Sequence, residues 1–488
     1  MSTLQLEVVL DPADPTHQRL TERLEQRLDS GETLRRTDYN RWRPGPSRAP
    51  GTLAALPVVL LLAPVRCLGS LWQLPPIPAE VLVVAELLDG AACELGPGVA
   101  LQAPAHGEAA SRFGVFAFAP GADSPLRCLV QFAFPSLVRW RHHQNRCLLA
   151  LADALIWWLR LCDQRQRLLL IGPIEGTLPL LPAPSARLVQ RLESRHLWLQ
   201  DSLRRRWSAW QQPSPCEWQI AIARIPSGDK PLQVLHRLAS QGGDWFADPF
   251  LLAHGEDLWL FCERWQAASG KGVIDLFAVR PEGLVPYGTV LEESFHLSFP
   301  RVIHHRGSWW ATVESAAAEE VRLYRAECFP TRWRLERVLL RGQPWIDPIL
   351  IAAADGGWWL LVNSHNLPAL PGATAPVLHL FYSPDLLLGP FEPHPCSPLL
   401  VDSTCGRNGG LLQLDGELLR VGQCTGMNNA YGETVQLRRI EVMDTLAYHE
   451  APLQLAWQRV LKQQLRATHL HTLNNVADWL AIDYVPGD

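Results

Sequence analysis

The sequence predicts a layered α/β domain over residues 1–205 followed by an all-β five-bladed propeller over residues 216–488. Three observations carry this division. The chain has 488 residues, well past the roughly 250–300 at which a single hydrophobic core stops growing. Strand and helix signals alternate through the first part, as in a domain with a mainly parallel sheet. From Trp218 onward the pattern changes to short β-runs separated by turn residues, and one motif recurs about every 50 residues.

In the first part, Leu4–Leu10 is a short apolar run and Thr16–Leu28 has helical periodicity. Leu56–Leu62 and Val81–Leu87 are leucine and β-branched runs bounded by Pro and Gly, which predicts buried strands. Gln144–Gln164 predicts a helix of about six turns. Leu168–Ile171 reads as a strand, Ser194–Trp210 as a charged helix, and Gln211–Cys216 (QQPSPC) as the boundary. No GxGxxG or GxxxxGK(S/T) follows any strand, so there is no case for dinucleotide or nucleoside triphosphate binding.

In the second part four segments align. They are ADPFLLAHGEDLWLFCERW from Ala247, SFPRVIHHRGSWWATVES from Ser298, IDPILIAAADGGWWLLVNSH from Ile346 and GRNGGLLQLDGELLRVGQC from Gly406. Each opens on a polar-Pro or polar-Gly pair, runs through a turn, and ends in a polar residue: Glu263, Glu314, Asn363 and Gln423. Further strands follow at GVIDLFAV, EVRLYRAE, VLHLFYSP and TVQLRRIEV. Several strands per repeat of this length are the signature of a propeller. The fifth blade is expected from WQIAIAR at 218–224 and HLHTLNNVADWLAIDYV near the C-terminus, pairing the two ends of the region.

Composition excludes several functions. Apolar residues make up 47% and charged residues 19%, enough to build large cores and too apolar for disorder. With 44 Lys+Arg against 49 Asp+Glu the formal charge is -5, which leaves no basic footprint for nucleic acid. The 11 cysteines include no CxxC pair, and Cys67, Cys93, Cys128, Cys147 and Cys162 stand singly in apolar surroundings. Reduced thiols and a cytoplasmic location are expected, since MSTLQLEVVLDPADP also lacks the basic and apolar regions of a signal peptide. Leu53–Val65 contains Pro57 and Pro64, and Cys147–Cys162 contains Asp153 and Arg160, so neither supplies the roughly 20 apolar residues of a membrane span.

Inner strands of a propeller converge on its axis. The repeat therefore brings Asp248, Asp347 and Arg407 at blade openings toward Glu263, Glu314, Asn363 and Gln423 one strand later, with His365 and Asn408 beside them. Burying several carboxyls around one axis costs several kcal/mol each unless they are paired or solvated. Like-charge proximity there separates their pKa values, which is how two carboxyls become an acid and a base. Against this stands the plainer reading that Asp-Pro opens a strand with a turn and that each glutamate is satisfied by backbone donors. Arg407 reads either as a substrate clamp or as a counter-charge to the carboxylates. The HLH at His469–His471 puts two imidazoles on one strand face, where a paired structural role is preferred to a metal site. Trp309–Trp310 and Trp358–Trp359 recur at one blade position and read as blade packing rather than sugar stacking.

The ADPF at Ala247–Phe250, SFPRV…ES over Ser298–Ser315, Asp347–Pro348, LHLFYSPDLLLGPFEPH at Leu378–His394 and HLHTLN at His469–Asn474 carry a family resemblance. Together they resemble the propeller in the N-terminal region of plant glucosamine inositolphosphorylceramide transferases and of a group of bacterial proteins. That propeller is similar to family-43 glycoside hydrolases. The resemblance implies a carbohydrate-active protein of glycoconjugate metabolism, acting on a sugar or glycoconjugate by glycosyl transfer or hydrolysis, with inversion if it hydrolyses. It implies a catalytic set of Asp248 as general base, Asp347 as the orienting carboxylate and Glu314 as general acid. Phe299 precedes Pro300 where the hydrolases place an Asp. The resemblance allows a calcium ion at the hub, while the residues themselves call for no cofactor. It also implies a Rossmann-like, formyltransferase-like N-terminal domain, here inactive: His106 lies in APAHGEAASRFGVFAFAPG without the SLLP that accompanies the family's histidine. The competing reading is a non-catalytic glycan- or partner-binding propeller with a scaffolding N-terminal domain. An enzyme would face two carboxyls across an open funnel, whereas a structural ring would pair each to Arg407 or cap it with backbone.

Overall fold

The computed structural model describes residues 5–10, 15–29, 32–38, 57–61, 81–87, 110–118, 126–135, 140–165, 217–226, 230–364, 376–426 and 430–487. The expected strand at Leu168–Ile171, the helix at Ser194–Trp210, the boundary at Gln211–Cys216, and His106 and His365 lie outside them.

The first part contains β1 (Gln5–Leu10), α1 (Pro15–Gln26), β2 (Thr33–Asp38), β3 (Pro57–Leu61), β4 (Val81–Leu87), β5 (Ala110–Phe118), β6 (Leu126–Pro135) and α2 (Trp140–Arg165). Strand β1 pairs in parallel with β2 and β3, and β3 with β4. The pairs β4–β5 and β5–β6 are antiparallel, so the sheet is mixed where a mainly parallel, Rossmann-like one was expected. The link from β5 to β6 is too short for a crossover helix and forces a hairpin. Leu151, Leu155, Trp158 and Leu159 of α2 join Phe132, Phe134 and Val8 in one core. Asp153, on the same helix, is buried and receives two hydrogen bonds from Arg27, at 2.5 and 2.8 Å.

The second part begins with β7 (Gln219–Arg224) and β8 (Gln233–Leu238). Blade one is β9 (Trp245–His254), β10 (Asp257–Gln266), β11 (Lys271–Arg280) and β12 (Gly283–Leu291). Blade two is β13 (Ser298–His305), β14 (Ser308–Ser315), β15 (Glu320–Cys328) and β16 (Arg332–Arg341). Blade three is β17 (Trp345–Ala352), β18 (Trp358–Ser364), β19 (Val377–Ser383) and the short β20 (Glu392–Pro393). After β21 (Leu400–Asp402), blade four is β22 (Arg407–Leu414), β23 (Glu417–Gly426), β24 (Ala430–Met443) and β25 (Tyr448–Leu453). Helix α3 (Ala456–Leu465) precedes β26 (Ala467–Val476) and β27 (Trp479–Pro486), which pair with β7 and β8 as blade five. The ring thus closes by joining the two ends of the region, as expected. The inner strands β9, β13, β17, β22 and β26 touch their neighbours in turn around the axis.

The tryptophan pairs do pack blades: Trp310 and Trp358 share the core between blades two and three, and Trp359 lies in the next one. Strand β21 pairs with β19 on one side and, in parallel, with β6 on the other, so the N-terminal sheet is continuous with blade three.

Each inner strand carries the same irregularity. Two of its residues bulge opposite one on the second strand: Asp248–Pro249, Phe299–Pro300, Asp347–Pro348, Gly409–Gly410 and His471–Thr472. A bulge of this kind re-aims the side chains beside it. Asp248, Phe299 and Asp347 each have φ of 50°, a left-handed conformation that costs a side-chain-bearing residue roughly 1–2 kcal/mol. The recurrence of that strain around one axis locates the candidate site.

Candidate functional site

What offsets the strain is a ring of clasps between blades. The N–H of left-handed Asp248 donates to Asp483 Oδ2 of blade five (2.8 Å). The N–H of Phe299 donates to Asp248 Oδ2 (3.2 Å), and that of Asp347 to Glu314 Oε2 (3.1 Å). Asn408 repeats the pattern one position before its bulge, donating to Asn363 Oδ1 (2.8 Å). At the joint between blades four and five the backbones approach closely at the bulge, and Asn475 bonds both the N–H and the carbonyl of Gln413 further along. A Cβ on Gly409 would stand 2.4 Å from His471 O, and one on Gly410 2.1 Å from Leu473 O.

Four of the expected residues, Asp248, Glu263, Glu314 and Asp347, are buried carboxyls brought to the hub by β9, β10, β14 and β17. Asp347 is held by Arg407, whose Nε donates to Oδ2 at 2.6 Å and whose NH2 reaches Oδ1 at 3.3 Å. Asp248 Oδ1 accepts from the Thr472 hydroxyl at 2.8 Å. Oε1 of Glu263 is buried with no hydrogen-bond partner, and the imidazole Nε2 of His296 lies 3.6 Å from it. Asn363 donates to the carbonyls of Val377 and Gly406, and Gln423 to that of Asn408 (2.6 Å). These two amides therefore hold backbone. Strand register also moves two expected equivalences: Gly409, two residues beyond Arg407, matches Asp248, and Gly422, one residue before Gln423, matches Glu263. The double glycine of blade four had hidden the bulge.

Sequence reasoning missed Asp483, Thr472, Trp218 and Tyr431. His471 Nδ1 lies 2.7 Å from Asp483 Oδ2, in an ion-pair contact too oblique for an aligned hydrogen bond, and its Nε2 lies 3.5 Å from Asp248 Oδ1. The imidazole stacks on Trp218 with centroids 4.0 Å apart. Tyr431 is 42% exposed, stands edge-on to Trp218 and His471, and has Arg407 4.9 Å from its ring centre. These residues come from the two chain segments that share blade five and from an outer strand of blade four, where the repeat pattern gave no alignment. The one available signal was the HLHTLN motif.

Burial pushes Asp248 up to about 6, against the pull of His471. Burial first, then the charge of Asp248, holds Glu263 well above the usual carboxylate range; burial and Asp347 do the same to Glu314. Burial opposes the charge on His471, but Asp483 outweighs it and the imidazole is raised. The hub therefore sets a carboxyl that titrates near 6 beside two glutamates whose protonated forms burial favours.

Asp248, His471 and Asp483 are the described residues whose ligand atoms approach closely enough to hold a metal ion. Asp483 Oδ1 accepts the N–H groups of His471 and Thr472, while Oδ2 takes that of Asp248. Two carboxylates so engaged and one imidazole fall short of the six to eight oxygens calcium takes. The donor set does not fit calcium.

Fold and site together define a five-bladed propeller whose hub is lined by buried carboxyl groups. Residues 234–482 match the family described as glucosamine inositolphosphorylceramide transferase 1, N-terminal, and the chain belongs to that family. The glucosamine inositolphosphorylceramide transferase 1 of Arabidopsis thaliana is 31% identical over 287 residues, covering 57% of this chain and 34% of that protein. Its counterpart from Oryza sativa subsp. japonica is 34% identical over 232 residues, covering 46% and 30%. The chain thus spans about a third of the length of these curated relatives. Among solved structures, a thermostable family-43 glycoside hydrolase aligns at 12% identity and TM-score 0.36, covering 49% of this chain and 81% of that one. A β-fructofuranosidase from Bombyx mori aligns at 16% and 0.37, covering 51% and 59%.

Proposed function

We propose that the hub binds a glycosyl group of a sugar or glycoconjugate and acts on it by transfer or hydrolysis. The observation that carries this is the excess of buried carboxyl groups over basic ones. Asp248, Glu263, Glu314, Asp347 and Asp483 surround the axis with Arg407 and His471 as the cationic groups set against them. A hub serving the fold alone has no use for that excess, since buried ionisable groups destabilise unless matched. In this reading Asp248, ionised near neutrality, takes the proton of the attacking hydroxyl or water. Glu314, whose protonated form burial favours, gives one to the leaving oxygen. Asp347 and Arg407 hold the ligand side of the hub, and exposed Tyr431 offers an aromatic face at its rim.

A second reading is favoured by the clasps: Asp248, Glu314 and Asp347 each spend an oxygen on a backbone N–H or on Arg407, as in a binding module that does not cleave. Carboxylate oxygens retain further lone pairs, so the clasps leave room for chemistry. We read the N-terminal sheet, joined to blade three through β21, as a scaffold. Transfer or release of sugar from nucleotide sugars and aryl glycosides, assayed for wild type, Asp248→Asn and Glu314→Gln, separates the readings. Loss of about 10²-fold or more in either variant, with binding kept, supports catalysis. Binding without turnover by any of the three supports the second reading.

A further inference from the structure

Most of the hub carboxyls are committed to partners. Asp248 accepts from Phe299 N–H and the Thr472 hydroxyl, Glu314 from Asp347 N–H, Asp347 from Arg407, and Asp483 from the N–H groups of Asp248, His471 and Thr472. Glu263 is the exception: it accepts no hydrogen bond among the described residues, although its side chain is only 5% exposed. Strand pairing sets it opposite Ala247, next to Asp248. Its buried Oε1 is faced by His296, from the loop between β12 and β13, with Nε2 at 3.6 Å. Two bonds to Gly272 of β11 fix that imidazole. Gly272 N–H donates to Nδ1 at 2.8 Å, and Leu297 N–H donates to Gly272 O at 3.0 Å. A ring nitrogen that accepts a backbone N–H leaves the proton of the neutral imidazole on the other, so Nε2–H is turned toward Glu263. Burial disfavours the charged imidazole. The approach needs glycine, because a Cβ on Gly272 would stand 2.6 Å from Glu263 Oε1 and 2.7 Å from His296 Cε1. Burial, then the charges of Asp248, Glu314 and Asp483, favour the protonated form of Glu263, with Arg407 opposing.

We propose that Glu263 stores the proton that passes from Asp248 to Glu314 between turnovers, and that His296 is its positioning residue. The inference rests on the glycosyl reading of the hub, in which Asp248 ends a turnover carrying the proton of the attacking hydroxyl and Glu314 ends it as a carboxylate. Glu263 gives its own proton to Glu314 and takes one from Asp248. All three carboxyls then return to their starting state with no proton gained or lost. While Glu263 is ionised, the Nε2–H of His296 is the donor placed to hold Oε1. Both residues act through Asp248 and Glu314 and not on the substrate.

The test compares the full wild-type chain with Glu263→Gln, His296→Leu and His296→Gln, the last of which keeps an N–H donor. Infrared spectra without ligand, near neutral pH, are expected to show a protonated-carboxyl band that Glu263→Gln removes and His296→Leu shifts. A spectrum unchanged by Glu263→Gln means that the carboxyl is ionised at rest, and overturns the proposal. Rapid-quench assays with phenyl glycosides and nucleotide sugars then compare the first turnover with later ones. Glu263→Gln and His296→Leu are expected to form the first equivalent of product at the wild-type rate and to slow later turnovers about tenfold or more, with His296→Gln recovering most of the loss. If His296→Leu does not fold, Glu263→Gln, which is nearly isosteric, carries the comparison. Loss in the first turnover as well overturns the store, because Glu263 would then act in the reaction itself. Turnover by Glu263→Gln at the wild-type rate throughout removes the proton route and leaves the glycosyl reading standing. A Glu263 band in a wild type that turns over none of these compounds removes that reading, and the route with it.

Discussion

Asp248 joins three strands of reasoning at the residue scale, because it is clasp, hub carboxyl and proposed base at once. Its pKa rises on folding from 3.8 to about 6. Between those values the folded state keeps a proton that the unfolded chain has lost, so stability falls as pH rises through that window and stays lowered above it. The penalty reaches about 3 kcal/mol. Asp248→Asn removes the titration and keeps an acceptor oxygen, so its stability relative to wild type should climb between pH 4 and 6 in urea unfolding. A pH-independent difference would show that the carboxyl does not titrate there. Asp347 is the opposite case, since Arg407 matches it. Asp347→Asn strands that guanidinium in a buried site and should cost about 3–5 kcal/mol, while the double variant with Arg407→Met should recover much of the loss. A cost for the double variant equal to the sum of the two single costs would show that the pair is not coupled.

The bulged inner strand is the unit that carries the site at the element scale, and it was only partly legible in the sequence. Asp-Pro and Phe-Pro mark the bulge in three blades, where the polar ends of the second strands also aligned. Gly409–Gly410 performs the same task in blade four with no shared residue type, which is why Arg407 lies two positions and Gln423 one position from the true equivalents. The glycines are required because the backbone of β26 lies where a Cβ would go. Gly410, with φ of 117° and a prospective Cβ contact at 2.1 Å, should lose more than about 3 kcal/mol on substitution by Ala. Gly416 has φ of 81° in an open hairpin with nothing within 4 Å, so Ala there should cost about 1 kcal/mol. Similar losses in chemical denaturation would mean that the blade four–five joint tolerates a side chain.

At the scale of the whole molecule, the ring depends on blade five, which the chain builds from its C-terminal hairpin and β7 and β8. That closure was readable because WQIAIAR and the C-terminal runs had no other partners. The hub residues it supplies were only partly readable: His471 stands out in HLH, but Thr472 and Asp483 share no residue type with their counterparts in the other blades. Deleting residues 479–487 takes away β27 and Asp483, leaving β26 and β7 with bare edges. Cooperative thermal unfolding followed by circular dichroism should then be lost, and a sharp transition in that variant would contradict the account of closure. The N-terminal sheet is mixed rather than mainly parallel because β5 and β6, which were not among the strands expected from the sequence, add two antiparallel pairings to it. The central claim is that the hub binds a glycosyl group at Asp248, and thermal stability against nucleotide sugars, aryl glycosides and free sugars tests it most directly. Wild type and Asp248→Asn are measured together, and a ligand at a hundred times its Kd stabilises by about 2.7 kcal/mol. The expected result is a sugar that stabilises both proteins and is turned over by wild type alone. Absence of any response from wild type would contradict the claim and leave the hub carboxyls as clasps of the fold.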